Sequence, residues 1–175
     1  MRKTNLLWLS DRLDILGGVE TLLLNLANKL DRSRFNVYSG VFKMGYVASY
    51  FEELGVQVIH IPRKGNFDLQ VIPRLAKTIR EQKIDLIHTH GLFPGIVGRI
   101  ACKLTGKKVI STYHFALHED GHPRFTKMVT RMALLLADNV DIFAIGEDWK
   151  GKFDFLKEYC EVVIYQGLRE YLQLK

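Results

Sequence analysis

The sequence predicts an α/β fold: a mainly parallel sheet of about six to seven strands, covered by helices on both faces as a three-layer α/β/α sandwich. Two observations predict it. Short apolar runs rich in β-forming residues alternate with longer amphipathic stretches along the whole chain. Those stretches are long enough to return the chain for a parallel crossover, which a hairpin turn could not do.

The elements follow in order. Asn5 to Leu9 reads as a first strand, and Val19, Leu22, Leu23, Leu26, Ala27 and Leu30 recur at the spacing of a helix with one apolar face. Asn36 to Phe42 is a second strand, and Val47 to Leu54 a short helix stopped by Gly55. Val56 to Ile61 is a third strand closed by Pro62. Leu69, Ile72, Leu75, Ala76 and Ile79 mark a helix that tolerates Pro73 only in its first turn. Ile84 to His88 is a fourth strand, Phe93 to Leu104 a helix and Lys108 to Tyr113 a fifth strand. A helix through Phe125, Met128, Val129, Met132, Leu135 and Leu136 leads to a sixth strand, Val140 to Ile145, and a seventh, Val162 to Tyr165.

Composition narrows the class. Of 175 residues, 47% are hydrophobic and 25% charged, the mix of a folded soluble domain. No apolar run approaches the ~18 residues of a membrane span, and Ser10-Asp11-Arg12 cuts the first run too early for a signal peptide. Cys102 and Cys160 lie far apart without metal-ligand spacing, as reduced thiols in a cytoplasmic protein would. The net charge of +6 fits an anionic partner, such as a sugar diphosphate or an anionic membrane surface contacted peripherally. No arginine-rich run or interleaved aromatic pattern points to nucleic acid.

Parallel sheets bind ligands beyond the carboxyl ends of their strands, so the residues following each strand carry the functional argument. Gly17-Gly18-Val19-Glu20 follows the first strand and opens the first helix. Paired glycines permit positive φ and let a ligand approach the backbone, and the helix N-terminus offers N–H groups to phosphate. The plain structural alternative is a tight turn in which Glu20 suits a helix N-terminus. The spacing is not the GxGxxG of a dinucleotide site, so a dinucleotide-binding or flavodoxin-like domain is disfavoured.

His88-Thr89-His90-Gly91 ends the fourth strand, with His88 and His90 on one side by the two-residue period. His88 is expected to pack inside, hydrogen-bonded to backbone, and His90 to face a ligand. No third residue completes a metal site. Thr112-Tyr113-His114 ends the fifth strand, and His118 and His122 follow in a polar segment. Gly121 and Pro123 break the helix that would align those histidines, so the segment reads as a mobile active-site loop with His114 fixed by the strand. Gly146-Glu147-Asp148 follows the sixth strand, where acids would cap a helix or contact a hydroxyl.

In order, these pieces resemble the N-terminal half of GT-B glycosyltransferases of the family 4 type, over nearly the whole chain. The resemblance rests on Gly17-Gly18-Val19-Glu20, Asp85 to His90, Val109 to His114, Phe143 to Glu147 and Ile164 to Gly167. It departs at Gly146, where serine is usual, and Gln166, where asparagine is usual. The resemblance implies a retaining, metal-independent enzyme that needs no cofactor beyond its co-substrate, a nucleotide-diphosphate-sugar. Gly17 and Gly18 would lie against the donor diphosphate and His114 would be the catalytic histidine near the reacting sugar. His90, Glu20 and His118 would line the cleft for a glycan, lipid or small-molecule acceptor. The nucleotide would be held by a C-terminal donor-binding domain, so residues 1–175 are expected to form the acceptor-side domain and to be inactive alone. The alternative is a non-catalytic binding module or one partner of a split transferase.

Overall fold

The computed structural model describes residues 2–65 and 68–114, together with the strands at 140–145 and 162–165. Seven strands, β1 (Thr4–Arg12), β2 (Phe35–Lys43), β3 (Gln57–His60), β4 (Leu86–His90), β5 (Lys108–Tyr113), β6 (Val140–Ile145) and β7 (Val162–Tyr165), form one sheet in the order β3-β2-β1-β4-β5-β6-β7. Every pairing is parallel. Four helices are described: α1 (Gly18–Lys29), α2 (Val47–Glu53), α3 (Val71–Glu81) and α4 (Leu92–Thr105).

The pleat of β1 divides the core in two. Leu7 and Leu9 point to one face, where Val71, Leu75, Ala76 and Ile79 of α3 and Val97, Ala101 and Cys102 of α4 cover them. Leu6 and Trp8 point to the other face and pack with Leu23 and Ala27 of α1 and Val47, Ala48 and Phe51 of α2. The alternation along one strand thus builds both layers of helices. Pro73 is the third residue of α3, within the first turn where its missing N–H costs nothing. Helix α4 sits so close to the sheet that a Cβ on Gly98 would lie 2.4 Å from Cγ2 of Thr89.

Two strands run further than the apolar pattern predicts. β1 continues through Ser10, Asp11 and Arg12, with Ser10 registered on Val41 and Arg12 on Lys43. β4 begins at Leu86 and ends at His90, which is registered on Thr112. Apolar periodicity detects only buried side chains, whereas ladder hydrogen bonds are made by backbone that no side chain identifies. Both extensions lie at the carboxyl edge. They carry polar residues up to the rim of the sheet. The expected helix through residues 125–136 lies outside the described residues.

Candidate functional site

Strand order reverses between β1 and β4, whose chains leave the sheet in opposite directions. A cavity of about 670 Å³ opens there. Its walls come from the end of β1 (Ser10, Asp11, Arg12), the loop and start of α1 (Ile15, Gly17 to Glu20), the end of β4 (His90) and the start of α4 (Gly91 to Pro94). Arg63, beyond β3, completes the wall. This volume suits a small organic ligand, and the position is where open α/β sheets bind one.

Gly17 and Gly18 both line the cavity, but not through positive φ. Gly17 is extended, with φ −113°. Gly18 matters for what it lacks: a Cβ there would meet nothing within 4 Å, so bare backbone faces open space. Gly17, the residue before the helix, has no side chain with which to cap the first-turn N–H groups. Glu20 is buried and turns back so that its Oε2 accepts the Gly17 N–H at 3.0 Å. The first-turn N–H groups beyond it remain for a ligand, reinforced by the helix dipole.

Positive φ occurs instead at Gly91, the residue before α4, at 100°. Side chains rarely adopt that conformation. Gly91 gives its own N–H to the Thr112 carbonyl at 2.9 Å, and α4 also lacks a side-chain cap. Two helix N-termini, each preceded by a glycine that offers no side-chain cap, therefore border one cavity. Arg63 stands between them: its guanidinium lies 4.2 Å from the Phe93 ring centroid and 3.3 Å from an Asp11 carboxylate oxygen. The strand-end rule alone could have found Arg63, which directly follows Pro62 after β3.

Three histidines occupy the ends of β4 and β5. The rings of His88 and His90 are 4.2 Å apart, and those of His90 and His114 stack at 5.3 Å. His88 Nε2 meets the Thr112 hydroxyl at 2.8 Å, a side-chain partner where a backbone one was expected. His90 Nδ1 is 3.1 Å from His114 Nε2. Burial disfavours the charged imidazoliums, with repulsion from His114 added for His88 and from His88 and His114 for His90. His88 and His114 are each pushed down to about 4, and His90 well below its ordinary value. All three rings are neutral near pH 7. His90 is 3% exposed, and its Nε2 has no hydrogen-bond partner, a deficit of about 1–3 kcal/mol.

Gly17, Gly18, Glu20 and His90 thus share one cavity. His114 is not among the lining residues and reaches the cavity through His90. His118, His122 and residues 146–148 lie outside the described residues. No group of three or more His, Cys, Asp or Glu side chains suited to a metal ion occurs among the described residues. Cys102 is buried, its thiol pushed up to about 12 by desolvation, so it is inert.

Sheet order and cavity position define a Rossmann-like α/β domain with its site at the topological switch. The family model described as Glycosyltransferase Family 4 matches residues 16–144, and the chain belongs to that family. HepE of Anabaena, solved in complex with UDP-glucose, superposes with a TM-score of 0.66 over 94% of this chain and 44% of its own, at 23% identity. The chain therefore has the fold of one half of a GT-B glycosyltransferase. The UDP-Gal:alpha-D-GlcNAc-diphosphoundecaprenol alpha-1,3-galactosyltransferase of Escherichia coli is 26% identical over 129 residues, 70% of this chain and 33% of that protein. A separate stretch of likeness, 76% identical but only 25 residues long, links 14% of this chain to 19% of the glycerol-3-phosphate cytidylyltransferase of Bacillus spizizenii. The chain spans a fifth to a third of these curated relatives and under half of the solved structure.

Proposed function

We propose that the chain is the N-terminal, acceptor-side half of a retaining glycosyltransferase that moves a sugar from a nucleotide-diphosphate-sugar to an acceptor. One observation carries this reading: the α1 N-terminus, uncapped and without a side chain at Gly18, faces the same cavity as His90. A diphosphate oxygen placed there accepts the free N–H groups of the first turn and meets the positive helix end. His114, behind His90, serves the reacting sugar. A donor-binding domain supplies the nucleotide contacts and most of the electrostatic stabilisation of the leaving diphosphate, so the 175-residue chain binds but does not turn over. UDP is the first nucleotide to try, because HepE is solved with UDP-glucose.

Amide NMR of the purified chain tests the reading. UDP-glucose is expected to shift the Gly18 and Val19 resonances, with no sugar transferred to any acceptor supplied. Unmoved cavity amides at saturating ligand would sink the site, and sustained transfer by the chain alone would sink the half-enzyme claim.

A lipid acceptor has its own support. Ile15 and Leu16 after β1, with Met44, Tyr46 and Tyr50 after β2, are exposed at the carboxyl edge that holds the cavity. With the net charge of +6, this rim suits peripheral contact with an anionic membrane at the cytoplasmic face. The E. coli relative is named for a diphosphoundecaprenol acceptor, in keeping with this. Sedimentation with anionic vesicles is expected to fall with salt and with Tyr46→Ser; binding indifferent to both removes the membrane from the reading.

A further inference from the structure

His90 Nε2 is buried without a partner, while Nδ1 of the same ring lies 3.1 Å from Nε2 of His114. A neutral imidazole carries one proton, so the contact between these rings holds one proton shared by two nitrogens. If His114 Nε2 carries it, His90 Nδ1 accepts and the His90 proton must sit on Nε2. His114 Nδ1 is then bare. If His90 Nδ1 carries it, both assignments reverse. Each arrangement of one ring therefore fixes that of the other.

We propose that His90 is a ligand-reading positioning residue. Its Nε2–H donates to a phosphoryl oxygen in the cavity, and its Nδ1 thereby fixes His114 as the tautomer with a bare Nδ1. This rests on the reading of the cavity as a diphosphate-sugar site and deepens it. The surroundings choose a phosphoryl oxygen over a neutral sugar hydroxyl. His90 is followed by Gly91, the uncapped start of α4, and the uncapped start of α1 forms another wall. Both helix ends favour an anion. The charged and titratable neighbours are otherwise committed, His88 Nε2 to Thr112, the Glu20 carboxylate to Gly17 and Arg63 to Asp11, while the Ser10 hydroxyl on the same wall is, like His90 Nε2, buried without a partner.

The proton count balances. Both rings hold one N–H before and after, so binding exchanges protons between positions with no net uptake. The consequence is functional: a bare His114 Nδ1 accepts a proton from a hydroxyl only when the phosphoryl oxygen is in place. Anion binding on one side of His90 prepares a base on the other.

Long-range proton–nitrogen NMR of the intact, histidine-labelled chain reads all four nitrogens directly. Pyrophosphate is expected to move His90 Nε2 into the N–H region and His114 Nδ1 into the unprotonated region; methyl glucoside is expected to do neither. UDP-glucose and glucose 1-phosphate run as separate arms assign the oxygen to donor or acceptor by which produces the change at lower concentration. His90→Gln keeps a group at the Nε2 position and should retain binding while uncoupling His114. His90→Asn keeps one at Nδ1 and should lose the response to pyrophosphate. If the Gly18 and Val19 amides shift with pyrophosphate while both histidines stay unchanged, the coupling is wrong and the proposed site stands. If nothing in the cavity shifts, the site reading fails with it. The wild-type measurement decides even if a variant fails to fold.

Discussion

The carboxyl edge of the sheet handles polar side chains in two opposite ways. On the β1–β2 side, Asp14 takes a bidentate pair from Arg12, at 2.6 and 2.7 Å, and a third contact from Lys43 at 2.6 Å. These groups are charged and reach solvent, and Asp14 is held well below the ordinary carboxylate value, first by Arg12 and then by Lys43. On the β4–β5 side, His90 is buried with half-buried His88 and His114 against it, and all three stay neutral near pH 7. Exposed pairs are screened and contribute little. Buried neutral rings must satisfy every nitrogen or carry a deficit, and that deficit falls on His90, beside the cavity. Charge at the rim keeps a surface wet; neutrality beneath it leaves one ring nitrogen of His90 without a partner.

The largest way to break this contrast is to move the scaffold beneath each side. A Cβ on Gly45 would lie 2.2 Å from Cα of Asp14, backbone against backbone, where Val47 N–H also reaches the Leu13 carbonyl. Gly45→Ala is expected to lower stability by about 3 kcal/mol or more in urea unfolding and to disperse the Asp14 cluster. Gly98→Ala meets only the Thr89 side chain, which can turn, though at the cost of its 2.8 Å bond to Ser111 Oγ. About 1–3 kcal/mol is expected, with a disturbed histidine group and an intact rim. A larger loss from Gly98→Ala than from Gly45→Ala would reverse the ranking of the two sides.

Acid separates the sides more gently. The folded histidines titrate below their unfolded value of about 6.5, so their contribution is complete above that pH. It is lost as pH falls from about 6.5 towards about 4, because the unfolded chain binds protons the folded one refuses. Asp14 is also depressed, yet its contribution is complete above its unfolded value of 3.8 and is lost only below it. Urea midpoints are therefore expected to decline first in the histidine window. Asp14→Asn, the smallest effect, should leave that window untouched and flatten only the acid limb. A midpoint constant from pH 6.5 to 4.5 would contradict the buried neutral histidines.

Much of the fold was legible because burial imposes periodicity on side chains. Helix α3 buries Leu75, Ala76 and Ile79 as the spacing predicts, but Leu69 is exposed ahead of the helix, Ile72 is half-buried and Val71 takes the buried place in the first turn. Every described strand overlaps an apolar run. The candidate site was half legible. Gly17, Gly18, Glu20 and His90 could be placed because each follows or ends a strand, and such ends converge when the sheet is parallel. Why the glycines are there was not legible: Gly17 is extended and Gly18 is open space, while the positive φ belongs to Gly91. Arg63, just after β3, lay within reach of the strand-end rule; what spacing hid was its stacking on Phe93, 30 residues away in sequence.

Local spacing and side-chain chemistry suffice for the alternation of strands and helices, the family pattern and the residues at the strand ends. What those residues are to one another depends on how the strands pair. The β1–β4 pairing sets two uncapped helix N-termini about one cavity. The β4–β5 register lays Thr112 beside His90, which gives His88 its hydroxyl and His90 its contact with His114. Each relation joins residues more than twenty positions apart, and strand pairing depends on backbone hydrogen bonds that leave no mark on side-chain order.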